Sequence, residues 1–378
     1  MMRRDHVNAL EREVAERVAA RGPVPFSEVM ELALYEPEHG FYSSGGSAGR
    51  RGDFITSPEV GPLFGAVVAR ALDSWWREAG EPDPFVVVEA GAGAGTLAVS
   101  VLAARPACAP ALRYVLVERS EALRDRHREH LSLETPAFAF APDHREDVDL
   151  DDGARRDDLP TGPIVVSLSD LPILDGPVTV IANELLDNLS FDVLERRDGR
   201  WHEVRVGVDV DADHLVEVLV PAVAPPGFDA PDGARVPVQA AAERWVRDAL
   251  ALSRPGGRLV TFDYASTSAV LASRPWTDWL RTYRDQARGI GPLEALGTQD
   301  ITAEVAVDQL PTPSTNRDQA TWLRAHGIDE LVDEGRRVWT ERAQIGDLEA
   351  VKARSRITEA EALCDPTGPG AFRVLEWH

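Results

Sequence analysis

The sequence predicts an α/β protein centred on a mainly parallel, doubly wound sheet, and three observations carry that prediction. Five short runs are nearly continuous in Val, Ile and Leu: PFVVVEA (84–90), RYVLVE (113–118), PIVVSL (163–168), VTVIAN (178–183) and GRLVTFDYA (257–265). Strands covered on both faces read in this way. Helical patterning follows the first run and fills 239–252, as crossover connections require. The first run ends in an acid and then in glycines alternating with alanines, EAGAGAGT (89–96), where an open α/β sheet places its ligand-binding turn.

The elements follow in order. Leu10, Val14 and Val18 recur at four-residue spacing and predict an amphipathic helix over 5–21, stopped by Gly22-Pro23. PFSEVMELAL (25–34) predicts a second helix with Ser27 as its N-cap. The stretch 35–61 is rich in Gly, Ser and Pro, yet it carries Tyr35, Phe41, Tyr42 and Phe54; it reads as an ordered lid loop. Residues 62–76 are helical in pattern. EDVDLDDGARRDD (146–158) reads as a solvated acidic loop, and 191–221 alternates around DG turns as a hairpin or meander. The segments 276–290 and 316–342 read as helices that cap the site together with the N-terminal segment. Three regions are expected: a helical lid region over 1–80; the sheet core over 81–265, with an insert at about 190–235; and a helical cap with C-terminal strands completing the core over 266–378.

Composition narrows the function. Hydrophobic residues make up 44% of 378, enough for a sizeable core. Two widely separated cysteines argue against a disulfide framework and a zinc site, and single histidines without ligand spacing point to no metal. A net charge of −23 sets the global field against a phosphate backbone, so nucleic acid is not expected as a partner; small molecules or cationic proteins are. The N-terminal stretch mixes acids with arginines and has no apolar core, and no window approaches roughly 18 uncharged apolar residues. A cytoplasmic protein away from membranes is expected, and a homodimer is compatible with all of this.

The glycine turn excludes a P-loop, because no lysine follows it, and its spacing fails the dinucleotide fingerprint at Thr96. A plain small-residue turn remains open for the loop taken alone. Acid-x-Gly-x-Gly-x-Gly after a first strand resembles class I S-adenosyl-L-methionine (SAM) methyltransferases, in which an acid ending the second strand, here Glu118, would hold the ribose.

Other motifs are more specific. YEPEHGFY, GDFITSPEVGPLFG, VVEAGAGAGTLA, YVLVERS, ANELLDNLSFD, LRTYR and DIT, in this order, resemble the MidA-like methyltransferases, a family that includes a mitochondrial complex I assembly-factor arginine methyltransferase and bacterial relatives. The likeness runs from about Phe26 to the C-terminal GAFRVLE. It implies a Rossmann-like SAM-binding sheet with an N-terminal helical lid and an inserted β/helical region. It implies SAM as cofactor, held by Glu89, Gly91, Ala92, Gly93, Gly95, Thr96, Glu118, Arg119, Asp170, Asn183, Thr56, Ser57 and Pro58, with Gly52, Asp53, Thr56, Ser57, Pro58 and Glu59 forming a lid over SAM and the substrate entrance. The sequence departs from the family pattern at Ala92, Ala94, Ala265, Asp285-Gln286 and Ala303-Glu304.

The activity implied is methylation of an arginine on a protein partner. A guanidinium nitrogen is a poor nucleophile, because its lone pair is delocalised and its charge persists to about pH 12 and beyond. Facing carboxylates would orient it and receive its proton. Glu184 and Glu59 are the leading pair, Asp187 and Asp53 the second. Plainer roles compete: first-turn acids for Glu184, Asp187 and Glu59, a backbone turn for Asp53, a turn for Asp170, packing for Tyr264. A small-molecule O- or N-methyltransferase, marked by the departures above, and a SAM-binding assembly factor with little catalysis are the alternatives.

Overall fold

The computed structural model describes residues 8–44, 56–140, 161–209, 214–224, 226–253, 255–284 and 287–378. The acidic loop at 146–158, Gly52 and Asp53 lie outside the described residues.

Helix α1 (Ala9–Arg21) opens on a reciprocal cap, with Glu11 N–H donating to the Asn8 side chain at 2.9 Å and Asn8 N–H to Glu11 at 3.1 Å. Gly22, at φ +80, ends it. Helix α2 (Phe26–Tyr35) starts before Ser27, so the expected Ser27 cap is corrected: Ser27 N–H donates instead to Asp192 at 3.1 Å, a carboxylate of the inserted region. Next come the single turn α3 (Ser57–Val60) and the long α4 (Pro62–Glu78), each with a proline in its first turn.

The sheet core then runs β1 (Phe85–Ala90), α5 (Thr96–Ala103), β2 (Leu112–Val117), α6 (Glu121–His130), β3 (Ile164–Leu168) and β4 (Thr179–Asn183). The insert follows as β5 (Asp192–Arg197), β6 (Arg200–Asp209), β7 (His214–Pro221) and β8 (Arg235–Val238); β5, β6 and β7 form an antiparallel meander and β8 returns to pair antiparallel with β5. Helix α7 (Ala240–Ser253) leads back into β9 (Arg258–Asp263). The chain continues through β10 (Leu280–Arg284), β11 (Asp300–Ala303), β12 (Thr315–Asp318), α8 (Gln319–Ala325), α9 (Ile328–Arg342), α10 (Leu348–Leu363) and β13 (Arg373–Trp377).

The central sheet has seven strands in the order β12-β13-β9-β4-β1-β2-β3. The five strands read from the sequence run parallel to one another, while β13 pairs antiparallel with β9 and β12 antiparallel with β13 at one side. One face packs Val87, Tyr114, Ile181 and Phe262 against Phe64, Leu72 and Trp75 of α4 and Trp322 of α8. The other packs Val88, Val115, Val180 and Leu259 against Val246 of α7. Burial on both faces is why these strands lack alternation.

A second core joins α1 and α2 to the insert and to β10 and β11 through Leu10, Phe26, Met30, Phe191, Val204, Trp279 and Ile301. Two expectations are corrected here. The segment 276–290 is not a helix: it is a short turn, Trp276–Asp278, followed by β10, which pairs antiparallel with β11, Leu280 against Ala303 and Tyr283 against Asp300. Leu280 and Thr282 are buried while Arg281 is only half-buried, a period of two that no helix provides. The segment 316–342 starts as β12 on the edge of β13 and breaks between α8 and α9 at Gly327, at φ +87.

Candidate functional site

The carboxyl ends of β1, β2, β3 and β4 open into one cavity of about 540 Å³, within the usual span for small-molecule sites. Its cofactor side is built on the turn after β1. Gly91 N–H and Ala92 N–H both donate to the Val117 carbonyl, at 2.9 and 3.1 Å, which ties the turn to the end of β2. Gly91 sits at φ +68, and a Cβ there would meet Leu185 Cδ1 at 2.9 Å. Gly93, at φ +54, has nothing within 4 Å of where a Cβ would stand. The first glycine lets two segments approach; the second keeps the cavity open.

Three side chains hold this turn. Glu89 is buried beneath it, accepts from the Tyr114 hydroxyl at 2.7 Å and from Ala98 N–H in the first turn of α5; burial pushes its carboxyl up to about 8. Glu118 accepts from Gly93 N–H at 2.9 Å and Ser120 N–H at 2.8 Å, and burial raises its carboxyl above the ordinary range. His127, wholly buried, lies within hydrogen-bond distance of both the Gly93 carbonyl and Ser167.

The opposite side is carboxylate-rich. Glu184 stands just past β4 at φ +49, a left-handed conformation rare for a residue with a side chain. It accepts from Ser57 N–H at 3.0 Å, Asn183 Nδ2 at 3.2 Å and the Tyr264 hydroxyl at 2.9 Å. Burial raises its carboxyl to about 7 against those three donors. A short 3-10 helix, Leu186–Asn188, follows it with Asp187 in its first turn, whereas Glu184 stands before its N-cap Leu185, so the reading of Glu184 as a first-turn acid is corrected. Leu186 and Asp187 N–H groups donate to Asp263, at 2.9 and 3.3 Å. Asp187 accepts from the Thr302 hydroxyl and from the backbone N–H groups of Asp187 and Asn188, while the buried Asn183 amide oxygen has no hydrogen-bond partner among the described residues. Asp300 accepts from the Tyr42 hydroxyl at 3.1 Å and Asn188 Nδ2 at 2.9 Å, and burial pushes it up to about 7. Burial and the neighbouring acids also raise Asp187, and raise Asp263 well above the carboxylate range.

Of the residues singled out in the sequence, Glu59, Thr56, Pro58, Glu89, Gly91, Ala92, Gly93, Thr96, Glu118, Arg119, Asp170, Asn183 and Glu184 line the cavity. Glu59 accepts from the Thr96 hydroxyl at 2.6 Å, which joins α3 to α5. Arg119 lies over the Tyr35 ring at 4.4 Å and pairs with Glu31. Ser57, Gly95 and Asp187 stand behind the wall: Ser57 Oγ turns to Gln319 at 3.2 Å, and Gly95 rests on Leu116, Leu131 and His127. Asp53 lies outside the described residues. Sequence reasoning gave no role to Asp300, to the Tyr42 hydroxyl or to His127. The DIT motif marks Asp300, whereas nothing in EALRDRHREH (121–130) sets its first histidine apart.

A family model described as that of S-adenosyl-L-methionine-dependent methyltransferases matches residues 67–325. The mitochondrial protein arginine methyltransferase NDUFAF7 of Rattus norvegicus is 28% identical over 343 residues, 86% of this chain and 76% of that protein. Its Drosophila melanogaster homolog is 31% identical over 211 residues, 53% of this chain and 45% of its own length. This chain therefore matches less than half the length of the fly relative and about three quarters of the rat one. A solved structure of a Burkholderia thailandensis protein bound to S-adenosyl-homocysteine aligns with a TM-score of 0.75 at 28% identity, covering 97% of this chain and 91% of that one.

Proposed function

This chain belongs to the S-adenosyl-L-methionine-dependent methyltransferases, within the MidA-like family, and on that premise we propose that its methyl acceptor is an arginine side chain of a partner protein. The observation that carries this reading is Glu184, which lines the cavity and is backed by Asp187, Asp263 and Asp300 behind its wall. All four are buried or nearly so, and every hydrogen-bond donor they are given is neutral: a hydroxyl, an amide or a backbone N–H. Burial without a cationic partner raises these carboxyls, and a guanidinium reaching Glu184 would favour its ionised form while offering it five N–H donors.

The residues present fit the cofactor, since the turn leaves open space beside Gly93 and the cavity has the volume such a ligand needs. Gly91, Ala92 and Gly93 would receive its amino-acid part, and Glu118 its ribose. SAM supplies an electrophilic methyl group on a sulfonium. The chain's own task is positioning. Glu89 fixes the start of α5, while Pro58, Leu185 and Tyr35 wall the site against water. Glu184 accepts N–H from the guanidinium, concentrates its charge at one end and takes the proton that leaves the attacked nitrogen on a carboxylate oxygen. A carboxyl raised to about 7 is matched to that work near neutral pH.

Methyl-labelled SAM incubated with cell lysate tests the reading: label should appear in methylarginine after protein hydrolysis. Label confined to small metabolites would overturn it, and would favour the small-molecule alternative. The same proposal places the protein in the cytoplasm, on the strength of two free cysteines, one of them buried. The rat relative is named mitochondrial, so fractionation with markers for both compartments tests that part.

A further inference from the structure

We propose that His127 is a positioning residue of the cofactor site, a neutral strut that fixes the Gly93 carbonyl and ties the glycine turn to the end of β3. Its Nε2 lies 2.8 Å from the Gly93 carbonyl oxygen and its Nδ1 2.9 Å from Ser167 Oγ. A carbonyl can only accept, so Nε2 carries the proton. Burial holds the imidazole pKa below its ordinary value, so the ring is neutral. Nδ1 is then bare and accepts from the Ser167 hydroxyl. Each partner thus has one role.

The placement gives this strut a consequence for the ligand. Gly93 N–H is already held by Glu118 at 2.9 Å, so with His127 on its carbonyl both polar groups of that residue are fixed by side chains. Gly93 lines the cavity and has open space where a Cβ would stand. The imidazole also lies under Gly95, where an added Cβ would come 3.3 Å from its Cδ2. Ser167 precedes Ser169 and Asp170, which line another wall of the cavity. One side chain of α6 therefore sets the spacing between two walls that come from different strands. This inference rests on the family's cofactor and not on the arginine reading.

Calorimetric binding of S-adenosyl-homocysteine, thermal melting of the unliganded protein, and kcat and KM for SAM test it with three variants. For His127→Leu, binding should weaken about tenfold or more, since a buried carbonyl loses its donor, with KM for SAM rising while kcat at saturation stays within about threefold. His127→Gln, whose amide nitrogen can reach the same carbonyl, should recover most of the affinity. Ser167→Ala should weaken binding about threefold. A folded His127→Leu that binds as tightly as the wild type overturns the proposal. So does a loss of affinity in His127→Gln equal to that in His127→Leu, which would mean the ring only packs. Should His127→Leu fail to fold, unchanged binding in Ser167→Ala overturns it. Glu184→Gln separates the two readings, because it should leave this binding intact even where transfer is lost.

Discussion

The two sides of the cavity are built on different plans. On the cofactor side, each charged or titratable group already has its partners within the protein: Glu89 holds α5, Glu118 holds Gly93 and Ser120, and His127 holds the Gly93 carbonyl. On the other side, four acids from three stretches of chain share only neutral donors. The first side is complete without its ligand, as a preorganised binding turn should be. The second is electrostatically unfinished, and its raised carboxyls register that deficit. Preorganisation meets that deficit at the cavity wall through Glu184, the one acid of the four that lines the cavity.

That contrast can be broken from either side. Glu184→Gln should have the largest effect, a fall in methyl transfer of about a hundred- to a thousandfold, as for loss of a general base, with S-adenosyl-homocysteine affinity within about twofold. A variant that transfers normally would remove Glu184 from the chemistry. In the wild type the transfer rate should rise with pH through about 7 as this carboxyl ionises. Gly91→Val attacks the other side. It places a side chain at φ +68 and against Leu185, and the left-handed conformation alone costs about 1–2 kcal/mol. Cofactor affinity by calorimetry should fall about ten- to a hundredfold.

Smaller effects sharpen the comparison. Tyr264→Phe removes one of three donors to Glu184, so kcat should drop about tenfold or less and the pH midpoint should move upward, with no change in cofactor binding. The smallest concerns stability. Carboxyls raised in the folded state, such as Glu184 and Asp300 at about 7 and Glu89 at about 8, bind more protons than the unfolded chain does. Their contribution is whole below their ordinary range and is lost as pH climbs through those values. The unliganded protein should therefore melt at lower temperature as pH rises from about 6 to about 8, and Asp300→Asn should flatten that decline. Parallel pH profiles for the two proteins would show that Asp300 is ionised throughout.

Much of the cofactor side was legible because it is local. Glu89, the glycines and Thr96 are consecutive, and Glu118 ends a strand recognisable by its unbroken Val and Leu. The acid-rich side was legible only in pieces. Glu184 and Asp187 stand in one motif, but their surroundings come from Tyr42, Asp263 and Asp300, which meet only after long-range pairing. Strand β10 was misread for the same reason: LRTYR is too short to display its period of two without its partner β11, sixteen residues on. Ser27 looked like a cap by residue type, yet the donor it offers is its backbone, claimed by Asp192. His127 sits in a helix crowded with charged residues, where burial of one ring nitrogen against a turn leaves no mark in the sequence.

The position of β13 bears on synthesis. It fills the place between β9 and β12, so the hydrogen-bonding edge of β9 stays bare until a strand more than a hundred residues further along has emerged. At about 5–20 residues per second on the ribosome, that edge waits for several seconds or longer beside a half-covered apolar face. An unpaired strand of this kind recruits other chains. The nascent protein is thus exposed to misassociation between the emergence of β9 and that of β13, and a chaperone that shields β9 should raise the yield of active enzyme more than one that shields the early helices.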